Sequence, residues 1–510
     1  MDSDGSIRQA GRGFFLITGA KLWFLLTATF TSLAFPRLFG DQVLFGQYRV
    51  VSGLLNVVTM VVITASVQAV SKLASQSGAD LSRVRRTAMV GQTLVFGPVF
   101  LAFIAFHGFI ASNLLSDPGI ARPLLVSGLI VLAYMYYAAI IGLLNGTCHF
   151  GRQASMDILF STLKTGLMIA AVVFSGSVAL SYGAFAAAAW TVLIVAAFVS
   201  GRVFSGVGRS SRGGIDLKEY LSYLLPLAGY ALVLNLLLQA DVIALKGFLG
   251  RLSGHGGSIG AADAASAAAG VYGAAKNVAL LPYQAVISLA FVVFPIVSSA
   301  SSCGDSERAS RVVSGAFRLA SLLSWCAVAV FGSAPAETLG LLFGASYSSG
   351  APGLVILLGA GAMLAFMHVG NAVLASSGRP IVSVLGGVGA AVVQIVMLGI
   401  LLPGASAADA TWLAAVSTLC GSASGAIVAG ILCGRVFGFS GWVRSALSAA
   451  VSAVAALIAA RLLRGACPWP VLPVVALAVF LAVLALTGGI GRADLGVLRR
   501  VMSRRVRRAG

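Results

Sequence analysis

A few lysines and aspartates lie inside long apolar stretches of the sequence, where charged side chains are rare. Lys21 falls about eight residues into the first stretch, Lys164 near the middle of the fifth, and Lys276 about eight residues into the eighth. Asp157 and Asp241 lie in the fifth and seventh stretches. A charge in such surroundings costs about 3 kcal/mol to insert, so it usually faces a wet cavity or an ionic partner. There an ammonium group can bind an anion, and a carboxylate can take up a proton or Na⁺.

Each of the cations has more than one interpretation. At helical rise Lys21 would lie roughly 12 Å deep, which favours a cation lining a central cavity over a side chain that extends to the inner surface. For Lys276, one turn after Tyr272, binding of an anion and extension to the outer surface are both open. Arg49 follows Tyr48 near the start of the second apolar stretch. We interpret it as an interfacial residue and as a candidate substrate contact.

The acids are equally open to two roles. Asp157 precedes Lys164 by seven residues, which places both on one helix face but about 10 Å apart along the axis. They cannot pair directly, so each either contacts substrate or forms a structural salt bridge to a neighbouring helix. Asp241 either takes up a proton or Na⁺ or pairs with Lys21 or Lys276.

Motifs of hydrolytic and metal-dependent enzymes are missing from the sequence. It has no P-loop lysine motif, no H-E-x-x-H and no G-x-S-x-G. The six cysteines show no CxxC spacing, which favours packing residues over a disulfide or metal framework. We therefore expect no enzymatic activity, no cofactor and no metal site.

The elements that position the charged residues are predicted to be membrane-spanning helices. The chain has 510 residues, of which 59% are hydrophobic and 10% charged, whereas soluble domains carry about 25% charged residues. Lipid must therefore be its main solvent. The net charge of +19 is concentrated between the apolar stretches and in the C-terminal tail. The topology rule for basic loops explains this pattern better than binding of nucleic acid.

Stretches of roughly 20 apolar residues predict 14 transmembrane helices. The first is a span, not a removed signal peptide, because its apolar run is long and lacks a small-x-small cleavage site. The predicted spans are 13–35, 48–70, 88–112, 123–146, 154–175, 179–200, 220–246, 268–297, 312–333, 352–375, 380–402, 410–434, 442–463 and 469–490.

Basic residues predict the orientation of these spans. With the N-terminus inside, most lysines and arginines fall in cytoplasmic segments, which favours both termini in the cytoplasm. The run from Arg499 to Arg508 would also be attracted to anionic lipids of the inner leaflet. The basic residues assigned to the outer side are Arg37, Arg49, Arg122, Lys246, Arg251, Arg461 and Arg464.

An internal repeat predicts how the spans are grouped. Residues 46–75 align without gaps to residues 270–299, so that Gly46 meets Gly270 and Tyr48 meets Tyr272. This predicts two six-helix lobes in the same orientation, with a central cavity between them. The predicted parts are an N-terminal lobe over 1–200, a cytoplasmic linker over 201–219, a C-terminal lobe over 220–434, additional spans over 435–490 and a basic cytoplasmic tail over 491–510.

A series of short motifs, in order along the chain, resembles the multidrug/oligosaccharidyl-lipid/polysaccharide (MOP) exporter superfamily. Within it, the motifs resemble the polysaccharide biosynthesis (O-antigen-type) flippases. The motifs are Pro36-Arg37-Leu38-Phe39-Gly40, Phe45-Gly46-Gln47-Tyr48, the Asp241 span followed by Gly270-Val271-Tyr272-Gly273, Phe294-Pro295, Leu342-Phe343-Gly344-Ala345-Ser346-Tyr347, and Asn371 to Gly378-Arg379.

The resemblance implies 12 to 14 helices in two lobes that work by alternating access in the bacterial inner membrane. The implied substrate is an undecaprenyl-pyrophosphate-linked oligosaccharide, moved from the inner to the outer leaflet. The implied cationic cavity fits Lys21 and Lys276, because a pyrophosphate needs cations to cross a low-dielectric zone. The predicted substrate-binding residues are thus Lys21, Lys276, Lys164 and Arg49, and the predicted ion-coupling residues for H⁺ or Na⁺ are Asp241 and Asp157.

Other functions remain as alternatives. Related drug exporters tend to carry acids in the cavity, whereas span 1 has a lysine and no acid. Related lipid II flippases tend to use arginines in these helices, whereas this chain has lysines, so the lipid-linked sugar is left open and a lipid II flippase for peptidoglycan stays an alternative. A membrane-embedded polysaccharide polymerase or ligase would need a sizeable outer loop, and the outer loops here are short. A non-transporting membrane scaffold should tolerate loss of the intramembrane charges.

Overall fold

The computed structural model describes residues 3–76, 80–204, 216–252, 259–287, 293, 297, 305–377, 380–406, 409–438 and 442–489. Its helices are α1 (Ser3–Phe39), α2 (Gln42–Ala74), α3 (Leu81–Ala105), α4 (Ala121–Gly146), α5 (Phe150–Ser175), α6 (Val178–Phe204), α7 (Leu217–Leu252), α8 (Ile259–Ala279), α9 (Ser306–Ser333), α10 (Pro335–Phe343), α11 (Ala351–Ser376), α12 (Pro380–Leu401), α13 (Ala410–Phe437), α14 (Trp442–Leu463) and α15 (Leu472–Leu486). Short helical turns connect α3 to α4, α10 to α11, and α14 to α15.

Thirteen helical segments within the described residues are long and apolar enough to cross a membrane. They match the predicted spans except the eighth, 268–297, which begins in α8 and of which residues 288–292 and 294–296 lie outside the described residues. The all-α, multi-pass architecture predicted from the sequence is therefore confirmed.

Helix ends follow local chemistry. The side chain of Asp41 accepts a hydrogen bond from the Val43 amide at 2.8 Å and caps α2. Asp80 caps α3 in the same way, and its hydrogen bonds, first from the Ser82 hydroxyl, lower the pKa of its carboxyl. Between α5 and α6, where the sequence has almost no charge, Gly176 ends the helix with a φ of 61°. Glycine adopts this left-handed conformation without steric cost.

The chain forms two compact units. The first comprises Met1–Ala274 and Ile395–Ala414, and the second comprises Ala275–Gln394 and Ala415–Gly510. In the first unit, α2 packs against α4 and α7, α1 against α5, and α4 against α6. In the second unit, α9 packs against α11, α14 and α15. The first unit continues past the predicted lobe boundary at 200, so the division into lobes stays a prediction.

A matched pair of glycines tests the packing of α2 against α4. A Cβ on Gly142 would lie 2.7 Å from the Cβ of Val70 and 3.1 Å from the carbonyl oxygen of Val67. A Cβ on Gly166, in α5, would have no atom within 4 Å. We expect Gly142→Ala to destabilise the protein by about 1–3 kcal/mol through overpacking, and Gly166→Ala to be neutral. Thermal unfolding of the purified variants measures the difference, and equal unfolding temperatures would contradict this packing.

Candidate charged sites within the helices

Lys21 and Asp157 are brought together because α1 packs along α5. The positive charge of Lys21 acts on the Asp157 carboxylate. The hydroxyl of Tyr137, on α4, donates a hydrogen bond to Oδ1 of Asp157 at 3.3 Å. Asp157 therefore lies between a cation from one helix and a phenol from another. The Lys21 side chain is exposed in the isolated chain.

Lys164 lies between aromatic rings. Its Nζ is 5.4 Å from the ring centroid of Phe24, on α1, and 4.9 Å from that of Phe185, on α6. None of the ion pairs formed among the described residues includes Lys164. Aromatic faces attract a cation by about 0.5–2 kcal/mol without neutralising its charge. Lys164 is thus held in place, on the same packed group of helices as Lys21, with its charge uncompensated by a carboxylate.

Neutral hydrogen bonds continue along the contact between α1 and α5. The indole nitrogen of Trp23 donates to the Thr162 hydroxyl at 2.9 Å. The hydroxyls of Thr31 and Thr165 lie 3.4 Å apart. Sequence analysis did not single out these residues. An uncharged side chain in an apolar stretch gives no sign in the sequence of whether it forms a hydrogen bond between helices.

Asp241 and Arg49 lie where α2, α7 and α8 meet in the first unit. Asp241 is fully buried, and its Oδ2 accepts a hydrogen bond from the Tyr272 hydroxyl at 2.7 Å. A Cβ on Gly273 would lie 2.5 Å from Cγ of Arg49, so the glycine makes room for the arginine side chain. The G-x-Y motif of α8, together with the glycine that follows it, therefore contacts both charged residues. Its tyrosine contacts the acid, and the glycine after it contacts the arginine.

Two buried polar atoms near this junction have no hydrogen-bond partner among the described residues. They are Nε of Arg49 and Oε1 of Gln239. The latter would lie 3.4 Å from a Cβ on Gly53 of α2. A buried polar group without a partner costs roughly 1–3 kcal/mol. Such groups are suited to a ligand or to water.

Lys276 is 2% exposed, so its side chain lies inside the protein and does not extend to the outer surface. It is one turn after Tyr272 on α8. This burial favours the interpretation in which the lysine binds an anion inside the protein, and that role stays a prediction.

Sequence analysis missed a buried charged cluster on the first unit. It assigned Lys246 to the outer side and gave Asp117 no role. In the structure Lys246 is completely buried, and its Nζ lies 3.0 Å from Oδ2 of Asp117. The one available signal was that Lys246 lies in a stretch that stays apolar up to Leu249.

Comparison with known proteins identifies the fold. No family model and no curated protein matches the sequence. Among solved structures, the chain is similar to the lipid II flippase MurJ in an inward closed conformation, with a TM-score of 0.69 at 12% identity over 94% of this chain and 99% of that one. It is also similar to the eukaryotic MATE transporter AtDTX14, with a TM-score of 0.57 at 16% identity over 88% of this chain and 99% of that one.

A third similar structure is a MOP superfamily transporter from Pyrococcus furiosus, described as having a binding pocket of reversed polarity. Its TM-score is 0.57 at 13% identity, over 83% of this chain and 96% of that one. All three likenesses cover nearly the whole of the known chain. This protein therefore has the fold of the MOP superfamily transporters.

Proposed function

We propose that this protein is a flippase that moves an undecaprenyl-pyrophosphate-linked oligosaccharide from the inner to the outer leaflet by alternating access. It would act in the bacterial inner membrane, with both termini in the cytoplasm. Lys21, Lys164, Lys276 and Arg49 would contact the pyrophosphate headgroup. Asp241 and Asp157 would couple the movement to a proton or Na⁺ gradient.

The observation that carries this proposal is the state of Lys164. An ammonium group in the middle of a span is costly unless something compensates its charge. Here two aromatic rings position the group, and the ion pairs of the described chain do not include it. A diphosphate carries the charge that such a cation lacks, and phosphate oxygens are strong acceptors for lysine. Lys21 on the adjacent helix adds a second cation, which favours an anionic over a cationic cargo.

Asp241 supports ion coupling. A fully buried carboxylate that already accepts a hydrogen bond from a phenol can be stabilised further by a proton or by Na⁺. Asp157 is the second candidate, since it also accepts a hydrogen bond from a tyrosine.

A lipid II flippase is the second candidate function. The likeness to MurJ favours it, because that TM-score is higher than those for the two transporters compared beside it. Lipid II also carries a pyrophosphate on a polyprenyl chain, so the same cations would serve it. The two proposals differ in the group that is linked to the pyrophosphate.

Reconstitution of the full chain into proteoliposomes tests the proposal. Three labelled substrates are compared: an undecaprenyl-pyrophosphate-linked oligosaccharide, lipid II, and the lipophilic cation tetraphenylphosphonium. We expect the first to cross the bilayer at least about tenfold faster than the other two, since binding favours the matched charge and headgroup. Preferential movement of lipid II would move the assignment to the second candidate. Both flippase proposals would be overturned if only the cation moved, or if none of the three substrates moved under an imposed gradient.

A further inference from the structure

A cluster of polar groups joins four segments of the first unit, and we call it the outer cluster: the buried residues Asp117, Lys246 and Ser266 and the half-buried Gln47. The Lys246 ammonium donates to Oδ2 of Asp117 at 3.0 Å, to the Ser266 hydroxyl at 2.7 Å and to the carbonyl oxygen of Ala262 at 2.7 Å. The Ser266 hydroxyl donates to the same Oδ2 at 2.9 Å. Gln47, on α2, donates to it at 3.4 Å. Both charges are therefore fully engaged.

Helix backbones approach closely around the outer cluster. A Cβ on Gly46 would collide with the carbonyl group of Ser266, and a Cβ on Gly270 would lie 2.5 Å from the carbonyl oxygen of Gln42. A Cβ on Gly247 would lie 2.7 Å from the carbonyl oxygen of Leu114. Only glycine permits these contacts. The backbones of the α2 and α7 ends, of residues 266–270 in α8 and of the turn before α4 are therefore in close contact.

The bonds of Lys246 and Ser266 to Asp117 and the close backbone approaches cross the predicted boundary between the lobes. The Gln47–Asp117 bond lies within the predicted N-terminal lobe, and the bonds of Lys246 to Ser266 and Ala262 lie within the predicted C-terminal lobe. Asp117, Gln47 and the α2 end belong to the predicted N-terminal lobe of residues 1–200. Lys246, Ser266 and the ends of α7 and α8 that meet belong to the predicted C-terminal lobe. This explains why the first compact unit extends to Ala274. On the predicted topology these ends lie at the outer face of the membrane.

A buried ion pair contributes little to stability, because desolvation of both charges offsets their attraction. It is well suited to a contact that must open, because water solvates both groups once the helix ends separate. We propose that the outer cluster is the latch of an outer gate, closed when Asp117 pairs with Lys246 and opened when water replaces that pair. This inference rests on the proposed alternating-access function.

The latch makes opposite predictions for single and double variants. Lys246→Met or Asp117→Asn leaves one buried charge without the opposite charge that compensates it. Exposure of that charge to water removes the free-energy cost of keeping it buried. Each single change therefore favours the open gate. The double change Asp117→Asn with Lys246→Met removes both charges, so the closed state no longer contains an unpaired ion. The closed state of the double variant should be populated at least as much as that of the wild-type protein.

Cysteine labelling measures the gate. Gly53 lies seven residues beyond Gly46 on α2, about 10 Å deeper at helical rise. A Cβ on it would face Gln239 and Ile243 of α7 at 3.4 Å or more. The reporter is Gly53→Cys in the full chain with its six native cysteines replaced. A membrane-impermeant maleimide is then added from the outer side.

We expect each single variant to raise the labelling rate at least about tenfold, because a lone buried charge is driven toward water. The double variant should label no faster than the reporter chain. The matched control is Glu337→Gln, which breaks the more exposed Arg464–Glu337 pair at 2.8 Å, on the predicted outer side, and should leave labelling unchanged.

Two results would overturn the latch: equal labelling of all the variants, or a loss of folded protein in the single variants without faster labelling. Either result leaves the proposed function intact if the lipid-linked oligosaccharide still crosses the bilayer. If labelling follows the expected pattern while no lipid-linked substrate moves, the proposed function fails and the gate stands.

Discussion

Lys164→Met is expected to slow translocation of the lipid-linked oligosaccharide by roughly ten- to a hundredfold. A hydrogen bond to a charged group contributes about 1.5–3 kcal/mol, and every 1.4 kcal/mol is about tenfold in rate or affinity. Methionine preserves most of the side-chain volume and can still pack against Phe24 and Phe185. The change therefore removes the charge and little of the packing. The initial rate of flipping in proteoliposomes measures the effect.

Lys72→Met is the matched control for this change. Lys72 lies in the last turn of α2 and is exposed, so its loss should leave the flipping rate within about twofold of wild type. Lys164→Arg retains the positive charge and should recover much of the rate. If Lys164→Met and Lys72→Met flip the substrate equally fast, Lys164 does not bind the headgroup.

The sequence was sufficient to predict the helices. A span is determined by a local property, a run of apolar residues of fixed length, and this is why thirteen predicted spans appear as helices among the described residues. Even the break between α5 and α6 is local, since it lies at Gly176. The likeness of the fold to MOP superfamily transporters agrees with the resemblance seen in the short motifs.

The partners of the charges could not be predicted in the same way. Lys246 pairs with Asp117 across 129 positions of the chain, and no spacing rule connects residues so far apart. A count of basic residues for topology assigns Lys246 to a side of the membrane but says nothing of burial. The electrostatic influence of Lys21 on Asp157 likewise depends on how α1 packs against α5. The aromatic surroundings of Lys164 come from two different helices.

One residue of the candidate site could be predicted from the local sequence. The alignment of residues 46–75 with 270–299 drew attention to Tyr272, whose hydroxyl contacts Asp241. What the alignment could not reveal is the role of Gly273, because room for Arg49 is a property of the packed helices.

Asp241→Asn is expected to abolish the dependence of transport on an ion gradient. Asparagine has nearly the same shape, but it cannot take up a proton and supplies only one oxygen to Na⁺. The variant should exchange substrate down its concentration gradient within about twofold of wild type, while gradient-driven accumulation falls to the level seen without a gradient. Uptake into proteoliposomes under an imposed proton or Na⁺ gradient measures both quantities.

Asp409→Asn supplies the comparison for this change. Asp409 precedes α13 and accepts hydrogen bonds from Ser406 at 2.6 Å and from the Trp412 ring nitrogen at 2.9 Å. These bonds lower the pKa of its carboxyl, so it stays ionised near neutral pH and cannot exchange a proton there. Its replacement should leave gradient-driven accumulation unchanged. Asp157→Asn is measured alongside, because Asp157 also accepts a hydrogen bond from a tyrosine. Full gradient dependence in Asp241→Asn, with loss in Asp157→Asn, would transfer the coupling role from α7 to α5.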